Sequence, residues 1–215
     1  NYGNKLQNYA LTKFLLNHEF NAESIEISLI GNSFKKSRNI TKYLRSPIFL
    51  LKSIIRKILS HKKHQKTSKL LQYRILVFKD FSEKFMFERI LELNYNELND
   101  LNNEYDYFLV GSDQVWNPGA VGNKSYKYFL TFAEIQKKVS YAASFGISYL
   151  EDGDKENYKE WLNNFKAISV REEAGKDIVF DLLGTEVPVL VDPTLLLKKE
   201  EWYKILTPDK NKPKR

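Results

Sequence analysis

Residues 105–119 read YDYFLVGSDQVWNPG, and they contain the clearest strand-and-loop pattern in the chain. The run at 107–110 is short and apolar, which is typical of a buried strand, and Gly111 ends it. Three polar residues follow at once: Ser112, Asp113 and Gln114. Because loops that leave the carboxyl ends of parallel strands form the ligand crevice of an open α/β sheet, we expect a binding site at this loop.

The composition is that of a globular protein with a full hydrophobic core. Of 215 residues, 42% are hydrophobic and 14% aromatic, which fits one large or two small domains. The chain lacks cysteine, which excludes disulfides and thiolate metal sites, and its Asp, Glu and His residues show no metal-ligand spacing. No apolar run reaches the roughly 18 residues of a membrane-spanning helix, and we recognise no signal peptide. These features favour a cytoplasmic enzyme.

The two ends of the sequence suggest a larger protein. Residues 1–16 form a loop that leads directly into a helix, and residues 207–215 form a basic tail that contains proline. Such a tail is typical of an interdomain linker. We therefore expect residues 1–205 to be one domain and residues 206–215 to begin a linker to a second domain.

Positive charge is concentrated in residues 35–79, which contain fourteen Lys or Arg residues and no Asp or Glu. This segment carries +14, which leaves −7 for the rest of the chain. Apolar residues recur at helical spacing between positions 48 and 59, with basic residues between them, so we predict a basic amphipathic helix. The segment interrupts the alternation of strands and helices and is therefore interpreted as an insertion.

Three interpretations of this basic insertion follow from its charge. Residues 47–79 could make peripheral contact with an anionic membrane, where each basic side chain contributes about 1 kcal/mol. Alternatively, the insertion is a helical pair packed on the domain with a solvated basic face. Binding to nucleic acid is disfavoured, because the aromatic residues of the segment form no stacking platform and no nucleic-acid motif accompanies the charge. We expect no nucleic-acid partner.

Strands and helices alternate along the rest of the chain. The pattern predicts strands at 24–30, 107–110, 139–143, 167–170 and 187–191, and helices beginning near Asn4 and at 81–91, 96–102, 154–165, about 172–183 and 200–205. This order predicts an α/β fold with a parallel, doubly wound sheet. Four loops then follow strands at one edge, at 111–114, 144–146, 169–172 and 192–194, and together we call them the rim.

Two positions near the rim have both a functional and a structural interpretation. Gly3 and Asn4 precede or begin the first helix, where free N–H groups attract anions, although Asn1 or Asn4 could simply cap the helix. Residues 169–172 fit a capping box, which places Arg171 in the first turn of the following helix. Arg171 either binds a carboxylate or phosphate or pairs with a neighbouring acid such as Glu173. Asp192 before proline is interpreted as a turn former.

Five segments, taken together, resemble the polysaccharide pyruvyl transferase family. In chain order they are NYGNKLQNYALTKFL at 1–15, FLVGSDQVWNP at 108–118, YAASFG at 141–146, ISVREEAG at 168–175 and VLVDPTLLL at 189–197. The resemblance extends from residue 1 to about 205 apart from the basic insertion. It implies two facing Rossmann-like domains, similar to GT-B glycosyltransferases, of which this chain resembles the amino-terminal one.

The resemblance implies transfer of the enolpyruvyl carbons of phosphoenolpyruvate to a sugar as a pyruvate ketal, without a cofactor, in exopolysaccharide biosynthesis. The acceptor would be a saccharide or a lipid-linked saccharide. On this hypothesis Arg171 binds an anionic group of the donor, and Gly3 and Asn4 bind phosphate or a polar group of the acceptor. The remaining rim residues serve the acceptor or shape the site: Ser112, Asp113 as a base, Gln114, Ser144 and Gly146.

The sequence offers no general acid within the matched segments. The only histidines are His18, His61 and His64, and none lies in a motif. The resemblance places a general-acid histidine in the other half of the protein, which implies that the present chain alone is inactive or nearly so. Two alternatives remain open: a GT-B-like glycosyltransferase that uses a nucleotide sugar, and a non-catalytic adaptor held to an anionic membrane surface by residues 35–79.

Overall fold

The computed structural model describes residues 2–29, 69–86, 88–122 and 124–206. The chain divides into two compact units, one of residues 1–30 and 85–206 and the other of residues 31–84 and 207–215. The predicted basic helix at 48–59 lies outside the described residues, so its contact with a membrane stays a prediction.

The described elements alternate between helices and short strands. In chain order they are α1 (Tyr2–Asn17), β1 (Ser24–Leu29), α2 (Lys69–Phe85), β2 (Glu88–Leu93), a 3-10 helix (Tyr95–Asn103), β3 (Phe108–Val110), α3 (Pro118–Val121), α4 (Ser125–Tyr128), a 3-10 turn (Ile135–Lys137), β4 (Lys138–Ser140), α5 (Asp152–Asn163), α6 (Glu173–Leu183), a 3-10 turn (Pro193–Leu195) and α7 (Lys199–Ile205). Within the described ranges, no helix combines the length and apolarity needed to cross a bilayer.

Every strand pairing in the described residues is parallel. Strand β1 pairs with β2 in the first unit, and β3 pairs with β4, where Val110 lies opposite Ser140. Isolated parallel bridges extend the second sheet, from Val139 to Ala167 and from Val170 to Val189. The protein therefore has a mixed α/β architecture with small parallel sheets and flanking helices.

The predicted helix at 81–91 is wrong in its second half. Helix α2 ends at Phe85, and Glu88–Leu93 forms β2 instead. From Arg89 onward the half-buried and exposed positions of β2 alternate, and Ile90 is 69% exposed. The side chains of this run therefore alternate as in a strand, and pairing with β1 favours the strand over the predicted helix.

The predicted strands at 167–170 and 187–191 form only isolated bridges. The strand predicted at 139–143 is Lys138–Ser140 in the structure, because Ala142 has a φ of +46° and leaves the extended conformation. These short pairings still hold the loops that follow them side by side.

The core lies next to the loop that follows β3. Trp116 is fully buried, stacks on Phe129 with ring centroids 5.7 Å apart, and also contacts the ring of Phe145. Its indole N–H donates to the Tyr128 carbonyl at 3.0 Å, and the Tyr158 hydroxyl donates to the Trp116 carbonyl at 3.0 Å. Aromatic pairs contribute about 0.5–1.5 kcal/mol each beyond burial. This cluster anchors the end of the 111–114 loop.

Gly111 lies at a close approach between the loops after β3 and β4. Its φ is +137°, and a Cβ at this position would lie 2.0 Å from the Tyr141 carbonyl oxygen. Neither the conformation nor the distance can be met by an L-residue with a side chain. The position therefore requires glycine.

We expect Gly111→Ala to destabilise the protein by about 3 kcal/mol or more, because the backbone of residue 141 must move. The matched control is Gly153→Ala in α5, where an added Cβ meets no atom within 4 Å. That change should be neutral or stabilise by about 0.5 kcal/mol. Unfolding by denaturant measures both effects, and equal midpoints for the two variants would contradict the close approach at Gly111.

Candidate active site

The rim loops are joined by backbone hydrogen bonds. The Ser144 amide donates to the Asp113 carbonyl at 3.2 Å, and the Arg171 amide donates to the Ala143 carbonyl at 3.2 Å. Because β3, β4 and the 167–170 segment are parallel neighbours, the loops leaving them meet at one edge. The polar residues of these loops consequently lie close enough to share side-chain contacts.

Arg171 connects three of the loops through its guanidinium. Nε donates to Glu172 Oε1 at 3.0 Å, and Nη1 donates to the Ser112 carbonyl at 2.7 Å and to Asp192 Oδ2 at 3.4 Å. No described residue accepts a hydrogen bond from Nη2, and the side chain is 23% exposed. One NH₂ group of the guanidinium is therefore available to a ligand oxygen.

The predicted capping box at 169–172 is wrong. Helix α6 begins at Glu173 with Glu172 as its N-cap residue, so Arg171 precedes the helix instead of lying in its first turn. The Ser169 hydroxyl donates to the Ser140 carbonyl at 2.8 Å and accepts from the Ala142 amide at 3.0 Å. This side chain is used to join strand ends and is not free to cap a helix.

Asp192 is a partner of Arg171 as well as a turn residue. Its Oδ1 accepts from the Thr194 amide at 3.0 Å and hydroxyl at 2.7 Å, and its Oδ2 accepts from Gln7 Nε2 and Arg171. Burial acts to raise the pKa of Asp192, but the hydrogen bonds from Thr194 and Gln7 and the charge of Arg171 outweigh it. The pKa of Asp192 therefore lies below its ordinary value.

One side-chain amide from helix α1 and one backbone amide of the 111–114 loop bind Asp113. Asn4 Nδ2 donates to Asp113 Oδ2 at 3.2 Å, and the Gln114 amide donates to Asp113 Oδ1 at 2.9 Å. The helix begins at Tyr2, so Asn4 lies in its first turn and is not its N-cap residue. Gly3, also in the first turn, is exposed. Asp113 is half-buried, and each of its oxygens can accept a further hydrogen bond.

Ser144 and Gly146 support the side chains of two other rim residues, Glu172 and Gln114. The buried Ser144 hydroxyl donates to Glu172 Oε1 at 2.6 Å and accepts from the Gly146 amide at 3.1 Å. Ser144 therefore fixes the Glu172 carboxylate, which in turn accepts from Arg171. Gly146 has a φ of +63°, and a Cβ there would lie 2.6 Å from the Gln114 side chain. Ser112 is 1% exposed, and its carbonyl, not its hydroxyl, contacts Arg171.

Sequence reasoning missed Gln7 and Glu172 and gave Asp192 only a turn role. The spacing of Gln7 from Asn4 was an available signal, because residues three apart share one helix face. By contrast, His18 lies at the other end of α1, with Nδ1 2.8 Å from the Phe14 carbonyl oxygen. Residues 61 and 64, the other histidines, are outside the described part of the chain.

The rim carries more negative than positive side chains. The rim loops contain one basic side chain, Arg171, and three carboxylates, those of Asp113, Glu172 and Asp192. Arg171 pairs with Glu172 and Asp192. Such a surface suits the hydroxyl groups of a ligand better than a multiply charged anion. Over the residues that the structure describes, no three His, Cys, Asp or Glu side chains are grouped as metal ligands.

Comparison with known proteins gives one family. The family model for polysaccharide pyruvyl transferases matches residues 1–215, which is the whole chain. Neither the curated proteins nor the solved structures contain a match. The family match thus includes every rim residue described above.

The lowered pKa of Asp192 predicts a pH-dependent contribution to stability. Above the ordinary Asp value of about 3.9, the charged carboxylate should stabilise the folded state by about 1–3 kcal/mol relative to Asp192→Asn. Because the folded pKa is below the unfolded one, this difference is lost as pH falls through the folded pKa. Denaturant unfolding between about pH 7 and pH 2.5 measures it.

The matched control is Asp106→Asn, since Asp106 is exposed and no hydrogen bond to its carboxylate is recorded among the described residues. We expect this variant to differ little from the unmodified protein at every pH. A free-energy difference for Asp192→Asn that stays constant down to the lowest pH would contradict the assignment.

Proposed function

Because the chain belongs to the polysaccharide pyruvyl transferase family and is a transferase, we propose that it moves the enolpyruvyl group of phosphoenolpyruvate onto a sugar of a polysaccharide. The product is a cyclic ketal that joins the central carbon of pyruvate to two sugar oxygens. The polysaccharide acceptor follows from the family, whereas the donor and the ketal are the proposal.

The reaction balances with two sugar hydroxyls and one donor. The methylene carbon of phosphoenolpyruvate gains a proton and becomes a methyl group, which leaves positive charge at C2. One hydroxyl oxygen then bonds to C2, and the second replaces the phosphate as the C2–O bond to phosphate breaks. Of the two protons released by the hydroxyls, one balances the proton taken up by carbon and the other leaves with phosphate.

The observation that carries the proposal is the Asp113 carboxylate at the rim. Asn4 and the Gln114 amide hold it in place through one hydrogen bond to each oxygen. A fixed carboxylate of this kind can accept the proton of an acceptor hydroxyl as that hydroxyl attacks. The exposed Gln114 side chain, beside Gly146, supplies an amide that suits a neighbouring hydroxyl.

Arg171 supplies the donor contact in this proposal. Its Nη2 group has two N–H donors without a described partner, which suits one oxygen-bearing group of phosphoenolpyruvate. Glu172 and Asp192 already offset its charge, so Arg171 alone cannot neutralise both the phosphate and the carboxylate of the donor. The backbone N–H groups at Gly3 and Asn4 and cations outside the rim are proposed to meet the remaining charge.

The finer fold assignment is also part of this proposal. Parallel pairings run from β3 through β4 to residues 167–170 and 189, and helices α5 and α6 separate these segments. This order supports a Rossmann-like sheet. We propose that it is the amino-terminal half of a GT-B-like enzyme whose donor and acceptor meet at the rim.

The decisive assay measures phosphate release from phosphoenolpyruvate by the intact protein with saccharide acceptors. In D₂O, deuterium should enter the methyl group of the ketal, which NMR of the product can detect. Turnover of a nucleotide sugar without phosphate release from phosphoenolpyruvate would instead support a glycosyltransferase and contradict the proposal.

We expect Asp113→Asn to lower kcat by about 100-fold or more, because the amide cannot accept the hydroxyl proton. Asp106→Asn, a carboxylate change away from the rim loops, is the control and should retain the original kcat. If Asp113→Asn turns over as fast as this control, Asp113 is not the base.

A further inference from the structure

Gln7 is tied to the charged pair at the rim without being part of any predicted site. It lies three residues beyond Asn4 on α1, and its Nε2 donates to Asp192 Oδ2. The side chain is half-buried, and its other polar atom, Oε1, is buried with no hydrogen-bond partner among the described residues. A half-buried amide aimed at one carboxylate points to a role in holding that carboxylate.

Asp192 is restrained on both of its oxygens. Two hydrogen bonds from Thr194 occupy Oδ1, and Gln7 and Arg171 share Oδ2. The Arg171–Asp192 contact is 3.4 Å, longer than the roughly 2.7–2.9 Å of a charge-assisted pair. Asp192 is thus near Arg171 but held back from a short or two-pronged ion pair.

We propose that Gln7 is a positioning residue for Arg171, which it controls through Asp192. By keeping Asp192 from closing on the guanidinium, Gln7 leaves the Nη2 group of Arg171 available to the donor. The inference rests on the proposed function, since phosphoenolpyruvate is the ligand whose binding it affects. Loss of the Gln7 contact should therefore raise KM for phosphoenolpyruvate more than it lowers kcat.

The variant Gln7→Glu makes this role depend on pH. When protonated, Glu at position 7 donates an O–H to Asp192 and replaces the amide. When ionised, it repels Asp192 toward Arg171, and the neighbouring carboxylate raises the pKa of the introduced group. Of the other charged or titratable groups among the described residues, Arg171 and Tyr141 interact with Asp192, and Glu172 accepts from Arg171. Asp113 accepts from Asn4, one turn earlier on α1.

Asn17→Asp is the matched control on the same helix. Asn17 Nδ2 donates to Glu201 Oε1 at 2.5 Å, so this change also places a carboxylate against a carboxylate across α1 and α7. Ten residues separate it from Gln7, which is about 15 Å along a helix. Both substitutions therefore disturb a hydrogen bond between α1 and another segment, but only Gln7→Glu affects Asp192, the partner of Arg171.

The experiment measures KM and kcat for phosphoenolpyruvate on the intact protein from about pH 5.5 to 8.5. We expect Gln7→Glu to match the unmodified protein at low pH and to show about a tenfold higher KM at high pH. Gln7→Met, which cannot donate, should raise KM at every pH. Asn17→Asp should follow the unmodified protein throughout, and circular dichroism at both pH limits confirms folding.

The outcomes separate the inference from the proposed function. If the unmodified protein releases phosphate but Gln7→Glu follows Asn17→Asp, or loses kcat with KM unchanged, the positioning role is overturned and the function is kept. If Gln7→Glu does not fold, a folded Gln7→Met with an unchanged KM overturns it equally. If the unmodified protein does not use phosphoenolpyruvate, both the function and the inference fail.

Discussion

The guanidinium of Arg171 is the contact on which the geometry of the rim depends. It joins the carbonyl of Ser112, the carboxylate of Glu172 and the carboxylate of Asp192, so three loops share one cation. Removal of the guanidinium would leave the partly buried carboxylates of Glu172 and Asp192 without their cation, which would lower the free energy of unfolding. The cation therefore has a structural role even before a ligand binds. Nη2 is the one guanidinium nitrogen without a partner among the described residues.

The two sides of the rim present different chemical groups to a ligand. On one side Asn4 and Asp113 offer an amide and a carboxylate, which match sugar hydroxyls. On the other side Arg171 offers a charge that two acids have already reduced. A transferase of this family must bind a polysaccharide, and the side of the rim formed by Asn4 and Asp113 is suited to that task. A multiply charged anionic ligand would need cations besides Arg171, the one basic side chain of the rim loops.

The sequence predicted the parts of the fold that depend on local pattern. The apolar run before Gly111 is β3, the alternation at 24–29 is β1, and the helices at α5 and α7 occur close to their expected bounds. It failed at β2, because an apolar run such as Phe81 to Leu91 satisfies helical and strand periods alike until its partner strand is known. The Ser169 capping box failed because Ser140 competes for the same hydroxyl.

The site was predictable only as a set of loops. Strand order brings residues 112–114, 144–146 and 171 to one edge, and that follows from topology. Which side chains pair there depends on packing between distant segments, as for Gln7 and Asp192, which are 185 residues apart. Asn4 and Gln7 also belong to the same helix, α1. Asn4 donates a hydrogen bond to Asp113, and Gln7 donates one to Asp192. A rotation of α1 would change both hydrogen bonds together, so the two carboxylates depend on a single helix for their position.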